Sequence, residues 1–309
     1  MKHGKKKEST NSNKIVLIIA CIVAILTVFY FAKNKSDNTQ VASTNVVSES
    51  IKEESNSTEQ PNETIKEEQK EEEEENTVDF SKLSESEKIG PEGLPVLMYH
   101  FFYDASKGET GKDGNWLEVS RFEDHLKYLT ENDFYFPTWE QVADYVEGKS
   151  TLPKKSVVLT VDDGEDSFFN VALPVVEKYD VKVTEFLVTS WNGWYKDDYP
   201  AKQMVYQSHS DDMHKAGANG KGAMVNWSYD EVLADCKKSR EILGDQAITF
   251  CYPFGHYNDT AKKALKEAGY KLAFTTEYGR VKTGADPYAL PRIRTSSSTT
   301  LEVLKDLVN

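Results

Sequence analysis

Short apolar stretches alternate with amphipathic segments throughout residues 91–309. Five of the stretches predict β-strands, because they are short and rich in β-branched and aromatic residues. They are PVLMY (95–99), SVVLTV (156–161), KVTEFLV (182–188), AITFCY (247–252) and KLAFTT (271–276). Continuous apolar strands separated by helices indicate a parallel sheet covered on both faces, either open or closed into a barrel.

Three amphipathic segments between these strands predict helices. Ser120 with Glu123 has the spacing of a capping box, and so has Ser228 with Glu231. The third segment, DTAKKALKEAGY, ends at Gly269, and glycine is the residue that most often terminates a helix.

An earlier apolar stretch, residues 15–32, has 18 consecutive positions without a charge. About 17–25 apolar residues span a bilayer, so this stretch predicts one transmembrane helix. Five lysines among residues 1–14 predict a cytoplasmic N-terminus, with the chain after residue 33 outside. A cleaved signal peptide and a lipoprotein modified at Cys21 are the alternatives.

Residues 33–90 contain seven lysines and sixteen acidic residues. Such a segment buries too little apolar surface to fold, so it predicts a disordered acidic stalk. The predicted organisation is a basic tail (1–14), a membrane helix (15–32), the stalk (33–90) and one folded domain (91–309). The formal net charge is −14 and no basic patch stands out, so no nucleic-acid partner is expected. The oligomeric state is left open.

The cysteines are too few for a disulfide scaffold. A bridge between Cys236 and Cys251 would suit an oxidising exterior. Two isolated, half-buried thiols are the favoured interpretation.

Polar or turn-forming residues follow three of the predicted strands. His100 follows the first, Asp162–Asp163–Gly164 the second, and Pro253–Phe254–Gly255 the fourth. Chemistry in parallel α/β folds gathers at the carboxyl ends of strands. Adjacent carboxylates repel each other unless a cation or partner separates their roles, although Asp-Gly is also a common turn signal.

His209 and His214 lie five residues apart in SHSDDMH (208–214), a spacing that suits a loop rather than one face of a helix. Two histidines and one carboxylate form a known catalytic zinc arrangement. Histidines are also common in exposed polar loops, so the hypothesis of a metal site at this pair depends mainly on Asp163.

This ordered set resembles the polysaccharide deacetylases of carbohydrate esterase family 4, the NodB-homology domain. TVDDG (160–164) is similar to the first motif of the family, T-F-D-D-G. His209, Ser210 and His214 are similar to the second motif, and PFG (253–255) to the end of the third. The resemblance implies a distorted (β/α) barrel of NodB type.

One branch of the family, which deacetylates extracellular poly-N-acetylglucosamine, is the most similar. It shares the longer spacing between the histidines, an early Tyr99–His100 and a late Pro291–Arg292–Ile293. Its sequence YPYG is similar to YPFG (252–255) in this chain. The resemblance spans about residues 94–309.

The resemblance implies that Asp163, His209 and His214 bind one divalent metal ion. Zinc suits this ligand set best, and cobalt, nickel or manganese are alternatives. Asp162 would be the general base, and the backbone N–H of Phe254 would meet the oxyanion.

Two devices of the family are missing from this chain. Most members use a histidine near the C-terminus as the general acid, but no histidine follows His256. His100, placed as in the similar branch, is the predicted acid, with His256 as the second candidate. Cys251 stands where the family has an arginine that tethers the base, and Arg292 is predicted to replace it by pairing with Asp162.

Aromatic side chains stack on sugar faces, so Trp191, Trp194, Tyr195 and Tyr252 are predicted to contact substrate. Trp116 is a further candidate, and burial in the core is the alternative for the tryptophans.

The predicted function is metal-dependent removal of N-acetyl groups from an extracellular polysaccharide by a membrane-anchored enzyme. The alternatives are a peptidoglycan deacetylase and a pseudoenzyme that binds glycans without catalysis.

Overall fold

The computed structural model describes residues 80–309 of the 309-residue chain. The strands in this part are β1 (Val96–Tyr99), β2 (Phe101–Tyr103), β3 (Trp116–Glu118), β4 (Val158–Asp163), β5 (Val183–Leu187), β6 (Met204–Ser208), β7 (Thr249–Cys251), β8 (Leu272–Tyr278) and β9 (Leu290–Arg294). The α-helices are α1 (Val119–Glu131), α2 (Trp139–Val146), α3 (Leu173–Tyr179), α4 (Thr189–Asn192), α5 (Tyr195–Asp198), α6 (Ala223–Asn226), α7 (Tyr229–Leu243), α8 (Asp259–Ala268) and α9 (Leu301–Val308).

Seven strands form a closed ring of parallel strands in the order β1–β4–β5–β6–β7–β8–β9, with β9 pairing to β1. The ring confirms the predicted barrel and rules out an open sheet. It is distorted, because β6 and β7 pair only at Ser208 and Phe250. The register also shifts between β8 and β9, at Phe274 to Tyr278.

Four strands were not predicted: β2, β3, β6 and β9. The last two belong to the barrel, and their sequences explain the omission. MVYQS of β6 is short and half polar, and LPRIR of β9 contains a proline and two arginines. Proline is uncommon inside sheets, and the burial of Arg292 in β9 depends on a partner from another strand.

The core lies between the barrel strands and the helices around them. In its largest cluster, Leu97 and Val161 of the barrel pack with Phe122 and Leu126 of α1. Burying such a side chain contributes about 1.5–3 kcal/mol. This packing fixes the strands, and therefore the positions of the residues at their carboxyl ends.

Two predicted helix starts have different outcomes. The capping box of Ser228 and Glu231 opens α7 as predicted, and Gly269 ends α8 in a left-handed conformation. The box predicted at Ser120 and Glu123 is wrong, because α1 begins at Val119, two residues before the predicted start at Arg121, and Glu118 caps it. Glu123 instead forms an ion pair with Lys178.

The folded region begins before the predicted boundary at residue 91. Phe80 is buried and packs with the cluster around α2, and Leu83 and Ile89 contact the same cluster. The Ile89 N–H donates to the Leu152 carbonyl at 2.8 Å. The predicted stalk is therefore corrected at its C-terminal end, where three apolar side chains attach it to the domain.

Within residues 80–309, no helix has the length and apolar character needed to cross a membrane. The predicted membrane helix at residues 15–32 and the basic tail before it lie outside the described residues, as does most of the stalk.

Cys236 and Cys251 are free thiols and both are fully buried, with 0% exposure. The bridge between them is absent, and the half-buried environment predicted for them is wrong. Cys236 is covered by the packing of α7 against α8, and Cys251 lies beside Arg292.

A buried histidine makes the stability of the fold depend on pH. His125 Nε2 donates to the Thr299 carbonyl, so Nδ1 accepts from the Tyr99 hydroxyl. Burial lowers the pKa of His125 to about 4. Between that pH and about 6.5, the unfolded chain binds a proton at His125 and the folded protein does not.

The free energy of unfolding should therefore fall by about 2 kcal/mol between pH 7.5 and pH 5 through this residue. Urea unfolding at both pH values, with a chelator present, measures it, and His125→Gln should lack that component. An unchanged pH slope in the variant would contradict the assignment.

Candidate active site

The carboxyl ends of the barrel strands bring the predicted reactive groups together. His100 follows β1, Asp162 and Asp163 end β4, and His209 follows β6. The turn Pro253–Gly255 follows β7. Because parallel strands end at the same rim of a barrel, side chains that are distant in sequence share one site.

Asp163 and the two histidines of SHSDDMH converge on one point. Asp163 Oδ1 lies 3.4 Å from His209 Nε2 and 3.2 Å from His214 Nε2. The three ligand atoms lie within 4.8 Å of one another. Asp163 has a φ of 83°, which ends the extended strand and its alternation at this residue. Burial opposes ionisation of Asp163, but hydrogen bonds from the two imidazoles hold its pKa below the ordinary value.

The donor set fits a divalent metal ion. His209 Nδ1 lies 2.7 Å from the Cys251 carbonyl, and a carbonyl only accepts, so Nδ1 carries the hydrogen. While the ring is protonated, Nε2 also carries a hydrogen and donates to Asp163. Loss of that proton leaves Nε2 with a lone pair directed toward Asp163, as a metal ligand requires. A backbone carbonyl behind a ligating histidine is the usual device for fixing this tautomer.

A second group, formed by Asp162, His209 and Cys251, has its donor atoms equally close together. Arg292 fills it, because Nη2 lies 2.7 Å from both the Cys251 sulfur and Asp162 Oδ2. A guanidinium at this position repels a metal cation. The Asp163 group is therefore the metal candidate.

Asp162 is paired with Arg292 as predicted. Both nitrogens of the Arg292 fork donate to the carboxylate, at 2.7 Å each, and Arg292 also donates to the Thr275 carbonyl and the Thr160 hydroxyl. Burial alone would raise the pKa of Asp162, but the guanidinium outweighs it and lowers the pKa to about 2. The carboxylate is thus ionised and held in one orientation.

His100 also lies beside Asp162, with Nε2 4.0 Å from Oδ2. Burial lowers the pKa of His100, and the nearby Asp162 and Asp163 oppose that effect. Nδ1 is buried with no hydrogen-bond partner among the described residues. This places His100 at the site, whereas the Nδ1 of His256 accepts from the Gly222 N–H.

The turn after β7 brings Phe254 to the metal candidate. Phe254 has a φ of 60°, and its ring centroid lies 4.4 Å from that of His214. Gly255 also has a positive φ, and a Cβ there would lie 2.1 Å from the Thr276 hydroxyl. The glycine therefore permits the close turn that holds Phe254, which is 42% exposed.

The predicted aromatic contacts separate into two groups. Trp191 and Trp194 are exposed by 46% and 54%, and the Trp191 ring contacts His214. Tyr195 donates to Asp166 and, with Trp191, lines a cavity of about 320 Å³ beside Asp163. A larger cavity of about 560 Å³ is lined by the residues where β4, β5 and β6 begin, away from these groups.

Tyr252 is not placed to contact a glycan, in contrast to the prediction. Its ring is 1% exposed and its hydroxyl donates to the Tyr288 carbonyl. The alternation of side chains along an extended segment turns it into the helix layer, where it packs with Phe250 and Tyr257. Trp116 is also largely buried, and it contacts Phe101.

Two acidic residues of the site were not predicted. Glu185 is fully buried and accepts from the Gly164 N–H at 2.8 Å. Asp235 accepts from the loop between the two histidines. The position of Glu185 inside the apolar stretch KVTEFLV was a signal for its role, because a charged residue is unusual there. Asp235 has no such local signal, since it lies in an ordinary amphipathic helix.

Comparison with known proteins agrees with this geometry. A family model described as polysaccharide deacetylase matches residues 149–273. The YxkH protein of Bacillus subtilis, which bears the name of a polysaccharide deacetylase, is 30% identical over 223 residues, covering 71% of this chain and 76% of that protein. The chain belongs to the polysaccharide deacetylase family. It is therefore a member of a family of polysaccharide de-N-acetylases.

Other relatives of this deacetylase carry more specific names. The poly-β-1,6-N-acetyl-D-glucosamine N-deacetylase of Staphylococcus aureus strain MRSA252 is 28% identical over 226 residues, 68% of this chain and 77% of that protein. The Streptococcus pyogenes deacetylase PplD, solved with acetate, has a TM-score of 0.58 and 26% identity over 72% of this chain and 98% of its own. IcaB from Ammonifex degensii has a TM-score of 0.60 and 24% identity over 72% and 99%, which shows a shared fold.

Proposed function

We propose that this deacetylase is a metal-dependent enzyme that removes N-acetyl groups from an extracellular polymer of the poly-β-1,6-N-acetylglucosamine type. The observation that carries the proposal is the placement of Asp163, His209 and His214 beside a carboxylate fixed by Arg292. The named activity of the Staphylococcus relative supports the substrate class. The uncharged stretch at residues 15–32 supports a membrane anchor with the catalytic domain outside.

We assign each residue of the site a role that the family resemblance implies and that its position supports. Asp163, His209 and His214 would hold the metal ion, which supplies Lewis-acid polarisation of a carbonyl and lowers the pKa of water. Asp162 takes the proton of the attacking water, because it is ionised and lies next to Asp163. The backbone N–H of Phe254 donates to the oxyanion that develops on the acetamide.

His100 is assigned as the general acid that protonates the leaving amine. It follows β1, and its Nε2 lies 4.0 Å from Asp162 Oδ2, so the proposed acid and base are neighbours in the site. Product release leaves a free amine on the sugar, which makes the polymer cationic.

The two tryptophans and Tyr195 form the proposed sugar-binding wall. Trp191 is exposed and contacts His214, and Trp194 is exposed and contacts Tyr195. Tyr195 lines the cavity beside Asp163 together with Phe101. Such rings stack on the apolar faces of pyranose sugars without selecting one linkage, so the wall suits an extended glycan.

Amine release tests the function directly. The full-length protein with added zinc is expected to release acetate and expose amines on β-1,6-linked N-acetylglucosamine oligomers. Peptidoglycan glycan strands serve as the second substrate, and faster release from them would favour the peptidoglycan enzyme instead. Absence of release from both, with zinc bound, would contradict catalysis and favour the pseudoenzyme.

Replacement of His100 by glutamine is expected to lower kcat about 10²-fold, since a positioned proton donor contributes about 10²- to 10⁴-fold. Zinc affinity should stay unchanged, because His100 is not among the proposed ligands. Steady-state kinetics and zinc titration measure both quantities. His256→Gln is the matched control, and a larger loss of kcat in that variant would transfer the role of acid to His256.

A further inference from the structure

The segment between the two proposed ligands has no regular structure of its own. His209 is fixed by the end of β6 and by the Cys251 carbonyl, whereas His214 follows after four further residues. Ser210 has a φ of 80°, a conformation that costs energy for a residue with a Cβ. The direction of His214 relative to His209 therefore depends on whatever holds this loop.

Asp235 of α7 holds it through two hydrogen bonds. Its Oδ1 accepts from the Asp211 N–H and its Oδ2 from the Asp212 N–H, each at 2.7 Å. Asp235 is only 7% exposed. Hydrogen bonds to a carboxylate are about twice as strong as those between neutral groups, and burial shields these two from water.

Two side chains of the loop itself make further contacts that hold it. The Asp211 carboxylate accepts from Thr189 at 2.8 Å and from Lys238 at 2.6 Å. The Ser210 hydroxyl accepts from the Met213 N–H at 3.1 Å. The Asp211 side chain is thus held by α4 and α7, and the N–H groups of Asp211 and Asp212 point to Asp235.

We propose that Asp235 is a positioning residue that sets the distance between His209 and His214 and thereby the metal affinity of the site. The chemistry of the contact explains the residue type. Two consecutive N–H groups need two acceptor atoms, which a carboxylate offers and an amide does not. This inference rests on the proposed metal function, and its test separates the two.

Zinc affinity is the measurement that tests the proposal. Competition with a chromogenic chelator gives the zinc Kd of the full-length wild type, Asp235→Asn and Asp235→Ala. Replacing groups that orient metal ligands costs about 10- to 100-fold in affinity. We expect about 10-fold weaker binding for Asp235→Asn, which keeps one acceptor, and about 100-fold for Asp235→Ala. At saturating zinc, kcat should recover toward that of the wild type.

Asp230→Asn is the matched control, since Asp230 lies exposed in the first turn of the same helix and changes the charge equally. Equal zinc affinity in wild type and both Asp235 variants would overturn the proposal, as would an equal loss in Asp230→Asn. Urea unfolding of each variant identifies a merely structural role, in which stability falls and zinc affinity does not. If Asp235→Ala fails to fold, the near-isosteric Asp235→Asn decides. A wild type that binds no zinc would refute the proposed metal function instead.

Discussion

Asp162→Asn is expected to reduce turnover by about 10²- to 10⁴-fold, the contribution of a positioned general base, while zinc binding persists. The substitution keeps the shape of the side chain but replaces a carboxylate with a neutral amide, which does not take up a proton near neutral pH. Asp162 is ionised in the fold, with a pKa of about 2, so the wild type has its base ready at any pH near neutral. Acetate release under zinc saturation gives kcat, and a chelator competition gives the zinc Kd.

The neighbouring residue provides the contrast for this experiment. Asp163→Ala removes a proposed ligand, so it should weaken zinc binding and turnover together. If Asp162→Asn also lost zinc, the roles of the two aspartates would be reversed or shared. If Asp162→Asn kept the wild-type kcat, another group would have to take the proton.

The carboxyl ends of strands allowed most of the site to be predicted from sequence. His100, Asp162, Asp163 and Phe254 each follow or end an apolar stretch that is readable without a structure. These residues lie together because the strands are parallel, and the apolar pattern indicates that arrangement. The sequence indicates which residues stand at strand ends, and the closed ring of parallel strands brings those ends together in space.

The parts that sequence did not predict depend on contacts between distant segments. The pairing of Arg292 with Asp162 was predicted but strand β9 was not, because Arg292 is buried in that strand through a partner 130 positions away. Asp235 has the pattern of an ordinary helix residue, and its role exists only where α7 meets the loop of the two histidines. The assignment of Tyr252 failed for the same reason, since the packing of the helix layer decides which face of that segment is covered.

Arg292→Met is expected to destabilise the protein by about 3–5 kcal/mol near neutral pH, the usual cost of removing one partner of a buried ion pair. Arg292 is 1% exposed, and its fork holds both oxygens of Asp162. Without it, burial of the Asp162 carboxyl costs free energy that the guanidinium no longer offsets, whether the group stays ionised or takes up a proton on folding. Urea unfolding in the presence of a chelator measures the loss apart from any effect of zinc.

The double variant Arg292→Met/Asp162→Asn decides whether the loss comes from the unpaired charge. Because the second change removes that charge, the double variant should be more stable than Arg292→Met alone.

The free energy of unfolding should depend on pH differently in the wild type and in Arg292→Met. In the wild type the pKa of Asp162 is lowered, so its contribution is present above pH 3.8 and is lost as the pH falls through about 2. In Arg292→Met burial alone raises that pKa, so the carboxyl takes up a proton on folding and stability rises as the pH falls. The difference in the free energy of unfolding between wild type and Arg292→Met should therefore become smaller from pH 8 to pH 4. If this difference stayed constant with pH and the double variant were no more stable than Arg292→Met, Arg292 would act through packing rather than through the charge of Asp162.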